Sequence, residues 1–151
     1  MYNLCIRMVA DRTEAEDLLQ EAFIKAFRQL HSFRWECTPG AWLRKIVTNH
    51  CLNHLRKRKI SFCGLEEVEG DHYPDDFMEE SEITPEMVHE SIKNLPEGCR
   101  VVFVLYQTEG YRHKDIAEML NISESTSKSQ YQRARMLLKE KLIHLTYEDR
   151  A

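Results

Sequence analysis

An aperiodic, strongly acidic stretch at residues 61–83 divides this 151-residue chain, so the segments on either side must each bury a core of their own. Residues 61–97 hold one Lys and 12 Asp/Glu, a balance of −11. Residues 1–60 carry 11 Lys/Arg against 6 acids, and residues 98–151 carry 9 against 7. The net charge of −4 therefore conceals two basic blocks, and nucleic acid stays open as a partner. Five Gly and four Pro are too few for a turn-rich all-β fold. No apolar run approaches the roughly 20 residues of a membrane span, and the first residues lack the pattern of a signal peptide. The expectation is a cytoplasmic, all-α protein without membrane insertion: two small helical domains joined by a flexible acidic linker. Cys5, Cys37, Cys51, Cys63 and Cys99 are odd in number and form no C-x-x-C pair, so reduced thiols are expected, some as small core residues.

Helical periodicity runs over residues 13–30, with Ala15, Leu18, Leu19, Ala22, Ala26 and Phe27 as one apolar stripe and Thr13 with Glu16 as a capping box. A second helix is expected from Pro39 to about Lys59. Beyond the linker, a helix from Thr84-Pro85 to about Leu95 and another over residues 97–108 precede a break at Gly110-Tyr111. The Val-Val-Phe-Val run at 101–104 suits a strand on propensity, but its helical surroundings favour helix. His113–Leu120, a turn at 121–123, and a helix from Glu124 to about Leu145 capped by Ser123 complete the chain.

Short helix, three-residue turn and longer helix make a helix-turn-helix. Ile116, Ala117 and Leu120 face inward from its first helix, and Ser127, Tyr131, Ala134 and Leu138 from its second. The opposite face of the second helix presents Ser125, Thr126, Lys128, Ser129, Gln132 and Arg133. Small hydroxyls, an amide and cations at the front of a helix suit a major groove; a solvated face of a helical hairpin is the plain alternative. In the first domain, Asp17, Gln20, Glu21, Ile24 and Arg28 recur at i, i+3, i+4, i+7 and i+11, away from the core stripe. This second ordered stripe suits a partner surface, or an ordinary charged face. His50 and His54 stand four apart without a third ligand in the pattern, so no metal is assigned, and no catalytic set or cofactor site emerges.

The residues Leu95-Pro96-Glu97-Gly98-Cys99-Arg100, Glu109-Gly110-Tyr111, Asp115-Ile116-Ala117-Glu118-Met119-Leu120 and Arg133-Ala134-Arg135 resemble region 4 of bacterial sigma factors. The likeness is to the extracytoplasmic-function (ECF) group of the sigma-70 family. Independently, Asp11–Phe23 is similar to the family's helix that grips the polymerase β′ clamp, and Phe33–Lys59 to its −10 recognition and melting region. The resemblance implies −10 strand contacts from Phe33, Arg34, Trp35, Arg44, Lys45, Asn49, Asn53 and Arg56. Aromatics interleaved with cations are the means by which single strands are held. Trp42, beside Leu43 and Ile46, is expected in the core rather than as a base platform. The family commonly has Asp where Asn53 stands and Glu where Asp115 stands.

By this resemblance residues 1–60 are a region 2-like domain, N-terminally incomplete because Met1–Val9 matches only the end of the family's first helix. Residues 84–151 are then a region 4-like domain reading the −35 element. Core RNA polymerase, through its β′ clamp and β flap, promoter DNA and an anti-sigma factor are the implied partners of a free monomer. A helix-turn-helix regulator that never engages polymerase, or a metal-dependent enzyme built on His50 and His54, are the alternatives.

Overall fold

A computed structural model describes residues 1–60, 62 and 83–148, so the expected linker and Cys63 lie almost wholly outside the described residues. The chain divides into two compact units, Met1–Ser61 and Phe62–Ala151. All regular structure among the described residues is helical.

The first unit contains α1 (Tyr2–Val9), α2 (Arg12–Gln29), a 3₁₀ turn (Leu30–Ser32) and α3 (Pro39–Lys57). The three α-helices pack pairwise. Leu4, Cys5 and Met8 of α1, Ala15, Leu18 and Ala22 of α2, and Val47, Cys51, Leu52 and Leu55 of α3 fill the core. Ala10, left-handed at φ 59°, ends α1 and donates its N–H to Ile6 O at 2.9 Å. The start of α2 differs from expectation. Its cap is Asp11, whose carboxylate accepts the Glu14 N–H at 2.8 Å, not Thr13. With α1 closing at Val9, Asp11 takes the extended conformation a cap needs, and Thr13 already lies inside the helix. Phe27 also departs from the apolar stripe and is 72% exposed. It lies about 100° around the helix from buried Ala26, off the face formed by Ala15, Leu18 and Ala22. Thr38 Oγ1 accepts the Ala41 N–H at 3.3 Å and Pro39 occupies the first turn of α3.

The second unit contains α4 (Pro85–Lys93), α5 (Glu97–Phe103), a π-helical turn (Val104–Thr108), α6 (His113–Leu120) and α7 (Glu124–Glu148). Thr84 caps α4 through the Met87 N–H at 3.2 Å. Val101, Val102, Val104 and Leu105 are fully buried, and the packing of α5 against α7 keeps this run helical despite its β-branched residues. The helix expected over 97–108 changes register midway, with Glu109 N–H bonded to Val104 O at 3.0 Å and Tyr111 N–H to Leu105 O at 3.0 Å. Gly110, at φ +74°, then turns the chain. Arg100 is buried at 7% exposure and donates from Nη1 to Lys93 O (3.1 Å) and Leu95 O (2.9 Å). It thereby supplies donors to carbonyls left open where α4 ends.

Candidate nucleic-acid interface

The turn between α6 and α7 is set by Asn121, left-handed at φ 54°, after which Ile122 N–H bonds to Ala117 O at 3.0 Å. Asp115 accepts the Arg112 N–H at 3.4 Å, so a carboxylate one methylene shorter than Glu still reaches the N-terminus of α6. Ser123 caps α7 through the Thr126 N–H at 2.9 Å. Ile116, Ala117 and Leu120 are buried against Ser127, Ala134 and Leu138, while Tyr131 is half-buried. Gln130, unmarked by any sequence pattern, is also buried and accepts from the Cys99 thiol at 3.1 Å.

On the other side of α7, Ser125, Lys128 and Gln132 are exposed, and Thr126, Ser129 and Arg133 are half-exposed. The six residues therefore share one accessible face. Their hydroxyls have local tasks as well. Ser125 and Thr126 hydroxyls each lie 2.8 Å from Ser123 Oγ, and Ser129 Oγ donates to Thr126 O at 2.9 Å. Lys128 Nζ pairs with Glu124 at 2.7 Å, an exposed contact that a phosphate could replace at small cost.

His113, Tyr106 and Gln107, which the sequence did not single out, brace this pair of helices together with Tyr131. His113 Nδ1 meets Ser127 Oγ at 3.0 Å, and its ring stacks on Tyr106 at 4.3 Å. Tyr131 packs against both rings and donates to Gln107 Oε1 at 2.8 Å. Desolvation, with Lys128 nearby, lowers the His113 pKa; desolvation raises that of Tyr131. The π-helical turn places Tyr106 and Gln107 within this cluster, an offset that a straight-helix reading of 97–108 hides.

In the first unit, Phe33 lies 4.9 Å from both the Trp35 and the Trp42 rings. Trp35 is 75% exposed and holds a left-handed φ of 59°, unusual for a bulky side chain. Trp42 is half-buried, not a full core residue as expected: with Leu43 it lines an apolar cleft of about 200 Å³. Phe23, Phe27, Leu30, Phe33 and Trp35 line the same cleft. The end of α2 thus contributes Phe23 and Phe27 to this cleft, of which the periodicity assigns Phe27 to the core. Lys45, Asn49, Asn53 and Arg56 recur on one exposed side of α3, opposite Val47, Cys51 and Leu55. Arg44 stands apart from them, in helical line with buried Cys51 and Leu55 but exposed, and Arg34 is exposed in the preceding loop. The Asn53 carbonyl accepts from Arg56 Nη1 at 3.2 Å, which orients both groups.

Asp17, Gln20, Glu21, Ile24 and Arg28 are all exposed on α2, opposite its buried alanines. Glu21 Oε2 reaches His50 Nε2 at 2.8 Å, and Glu14 Oε2 contacts Arg58 at 2.6 Å and His54 at 3.6 Å. Carboxylates of α2 therefore face the two histidines weighed as metal ligands. Among the described residues no three His, Cys, Asp or Glu side chains gather as a metal site, and no helix is long and apolar enough to cross a membrane.

Residues 1–60 match the Sigma-70 region 2 family and residues 86–138 the Sigma-70, region 4 family. The RNA polymerase sigma-H factor of Pseudomonas aeruginosa is 35% identical, the match covering 98% of this chain and 83% of that protein. The ECF RNA polymerase sigma factor SigW of Bacillus subtilis is 32% identical, over 96% of this chain and 84% of its own. Among solved structures, the sigma factor RpoE of Bartonella quintana, crystallised with the anti-sigma factor NepR, superposes with a TM-score of 0.59 at 25% identity. That match covers 93% of this chain and 88% of RpoE.

Proposed function

The chain belongs to the sigma-70 family, in its ECF group, and from that membership we infer that it binds core RNA polymerase and directs it to promoters. The observation that carries this reading is the presence of both regions in one chain, each with an exposed face suited to its task. Asp17, Gln20, Glu21, Ile24 and Arg28 are the proposed surface for the β′ clamp, and the second unit also docks on the β flap. The α7 face of Ser125, Thr126, Lys128, Ser129, Gln132 and Arg133 reads the −35 duplex, its cations and hydroxyls taking phosphates while Gln132 and Arg133 reach base edges.

The −10 strand lies along Lys45, Asn49, Asn53 and Arg56, with Arg34 and Arg44 adding positive charge. The cleft beside Phe33 and Trp35 accepts an unstacked base. Extruding a base costs a few kcal/mol, which stacking of about 1–3 kcal/mol per base offsets. The protein acts as an initiation factor without a reaction of its own, in the cytoplasm, as a monomer when free. An anti-sigma factor restrains it, as the RpoE–NepR complex illustrates for a structural relative.

Run-off transcription with added core polymerase tests this reading. Wild-type protein should support specific initiation. The double variant Asp17→Lys/Ile24→Glu should fold, because both positions are exposed, yet lose polymerase binding and transcripts. Misplaced charge at an interface costs several kcal/mol, and each 1.4 kcal/mol is about tenfold in affinity. Wild-type protein that binds promoter DNA but not core polymerase would instead be a helix-turn-helix regulator.

A further inference from the structure

Two of the buried thiols face each other. Cys5 on α1 and Cys51 on α3 are both fully buried, and their sulfurs lie 3.7 Å apart with the Cys51 thiol donating to Cys5. Both are free cysteines. They come from helices separated by the whole of α2, and neither takes part in the polymerase or DNA faces described above. From this juxtaposition we propose that Cys5 and Cys51 form an oxidation site for a small two-electron oxidant of the peroxide class, whose product is a disulfide pinning α1 to α3.

The chemistry follows from the geometry. Disulfide formation needs the sulfurs to close from 3.7 Å to about 2.05 Å. The hydrogen bond from Cys51 favours the thiolate of Cys5 and lowers its pKa, whereas that bond and burial hold the Cys51 thiol protonated, with its pKa raised. As the acceptor of the Cys51 hydrogen bond, Cys5 is taken as the attacking sulfur. Its thiolate takes one peroxide oxygen, the O–O bond breaks, and the departing hydroxide gains a proton to become water. The sulfenic acid left on Cys5 already has Cys51 beside it. Attack by the Cys51 sulfur forms the S–S bond and breaks the S–O bond. The hydroxyl leaves as a second water with the Cys51 proton. Two thiols are oxidised and one peroxide is reduced to two waters. Burial favours a reagent as small as hydrogen peroxide over bulky thiol reagents, and proximity makes the second step intramolecular.

The product closes a loop containing all of α2, so it restricts the unfolded chain and should raise thermal stability. Full-length reduced protein is treated with hydrogen peroxide, its remaining thiols are blocked with iodoacetamide in denaturant, and it is digested with trypsin without reduction. The expected result is peptide 1–7 joined to peptide 46–56, two hydrogens lighter than their sum and separated by dithiothreitol. The oxidised protein should also melt several degrees higher, reversibly, while Cys51→Ala shows no such rise. Recovery of 1–7 and 46–56 as separate alkylated peptides, with oxidation confined to exposed Cys37, overturns the proposal. A linked peptide without any rise in melting temperature overturns the pinning of α1 to α3.

Discussion

Ala10 ends α1 in a left-handed conformation that an L-residue adopts only against strain from its own Cβ. Glycine carries no such penalty and is the usual residue at this position of a helix end. Ala10→Gly should therefore stabilise the first unit by about 0.5–1 kcal/mol, less any cost of added freedom in the unfolded chain. Chemical denaturation reads this as a higher midpoint at unchanged slope. Trp35 has the same backbone sign, and its ring packs on that of Phe33. In the −10 role proposed above, an aromatic so held would be positioned before its base arrives, which lowers the ordering cost of binding.

At the scale of elements, α7 has two faces with different physics. On the exposed face, Lys128→Ala with Arg133→Ala should weaken promoter binding without loss of helicity. If Lys128 replaces one counterion at a phosphate while Arg133 reaches a base edge, the slope of log affinity against log salt should flatten by about one. Fluorescence anisotropy across a salt series measures it, and an unchanged slope would leave this face as solvated surface. On the inner face, His113 joins α6 to Ser127. Its pKa is lowered in the fold, so the unfolded chain takes up the proton first as pH falls. The stability tied to neutral His113 is present above about pH 6.5, the ordinary value for His, and is lost as pH falls through the folded pKa. Lys128 opposes the imidazolium and Glu124 favours it. His113→Phe keeps the stack on Tyr106 but removes this titration, so melting curves from pH 7.5 to 5 should show the variant gaining on wild type toward acid. The main helices, the turn between α6 and α7 and the exposed face of α7 were legible because each rests on local spacing, though the cap of α2 falls on Asp11 rather than Thr13. The aromatic cleft was not, because Phe27 and Leu30 share the composition of core residues and only the reach of α1 and α3 decides that they stay exposed. His113 and Tyr106 were likewise hidden, since a π-helical turn that no residue type announces brings Tyr106 against Tyr131.

For the molecule as a whole, each unit encloses apolar side chains of its own, so each is expected to fold as a separate cooperative body. Within the second unit that cooperativity has an identifiable fastener. Arg100 belongs to α5, but two of its acceptors, Lys93 O and Leu95 O, belong to the end of α4 and the turn after it. If α4 came loose alone, a buried guanidinium would lose these acceptors, and the cost of leaving such groups unpaired is about 1–3 kcal/mol or more. Amide protons of α4 should therefore exchange with solvent deuterium through the same opening that releases α5. Arg100→Met should split that event, the α4 amides exchanging sooner than those of α5, as native-state exchange followed by mass spectrometry would show. One side chain would then decide whether α4 and α5 share a single lifetime or keep two.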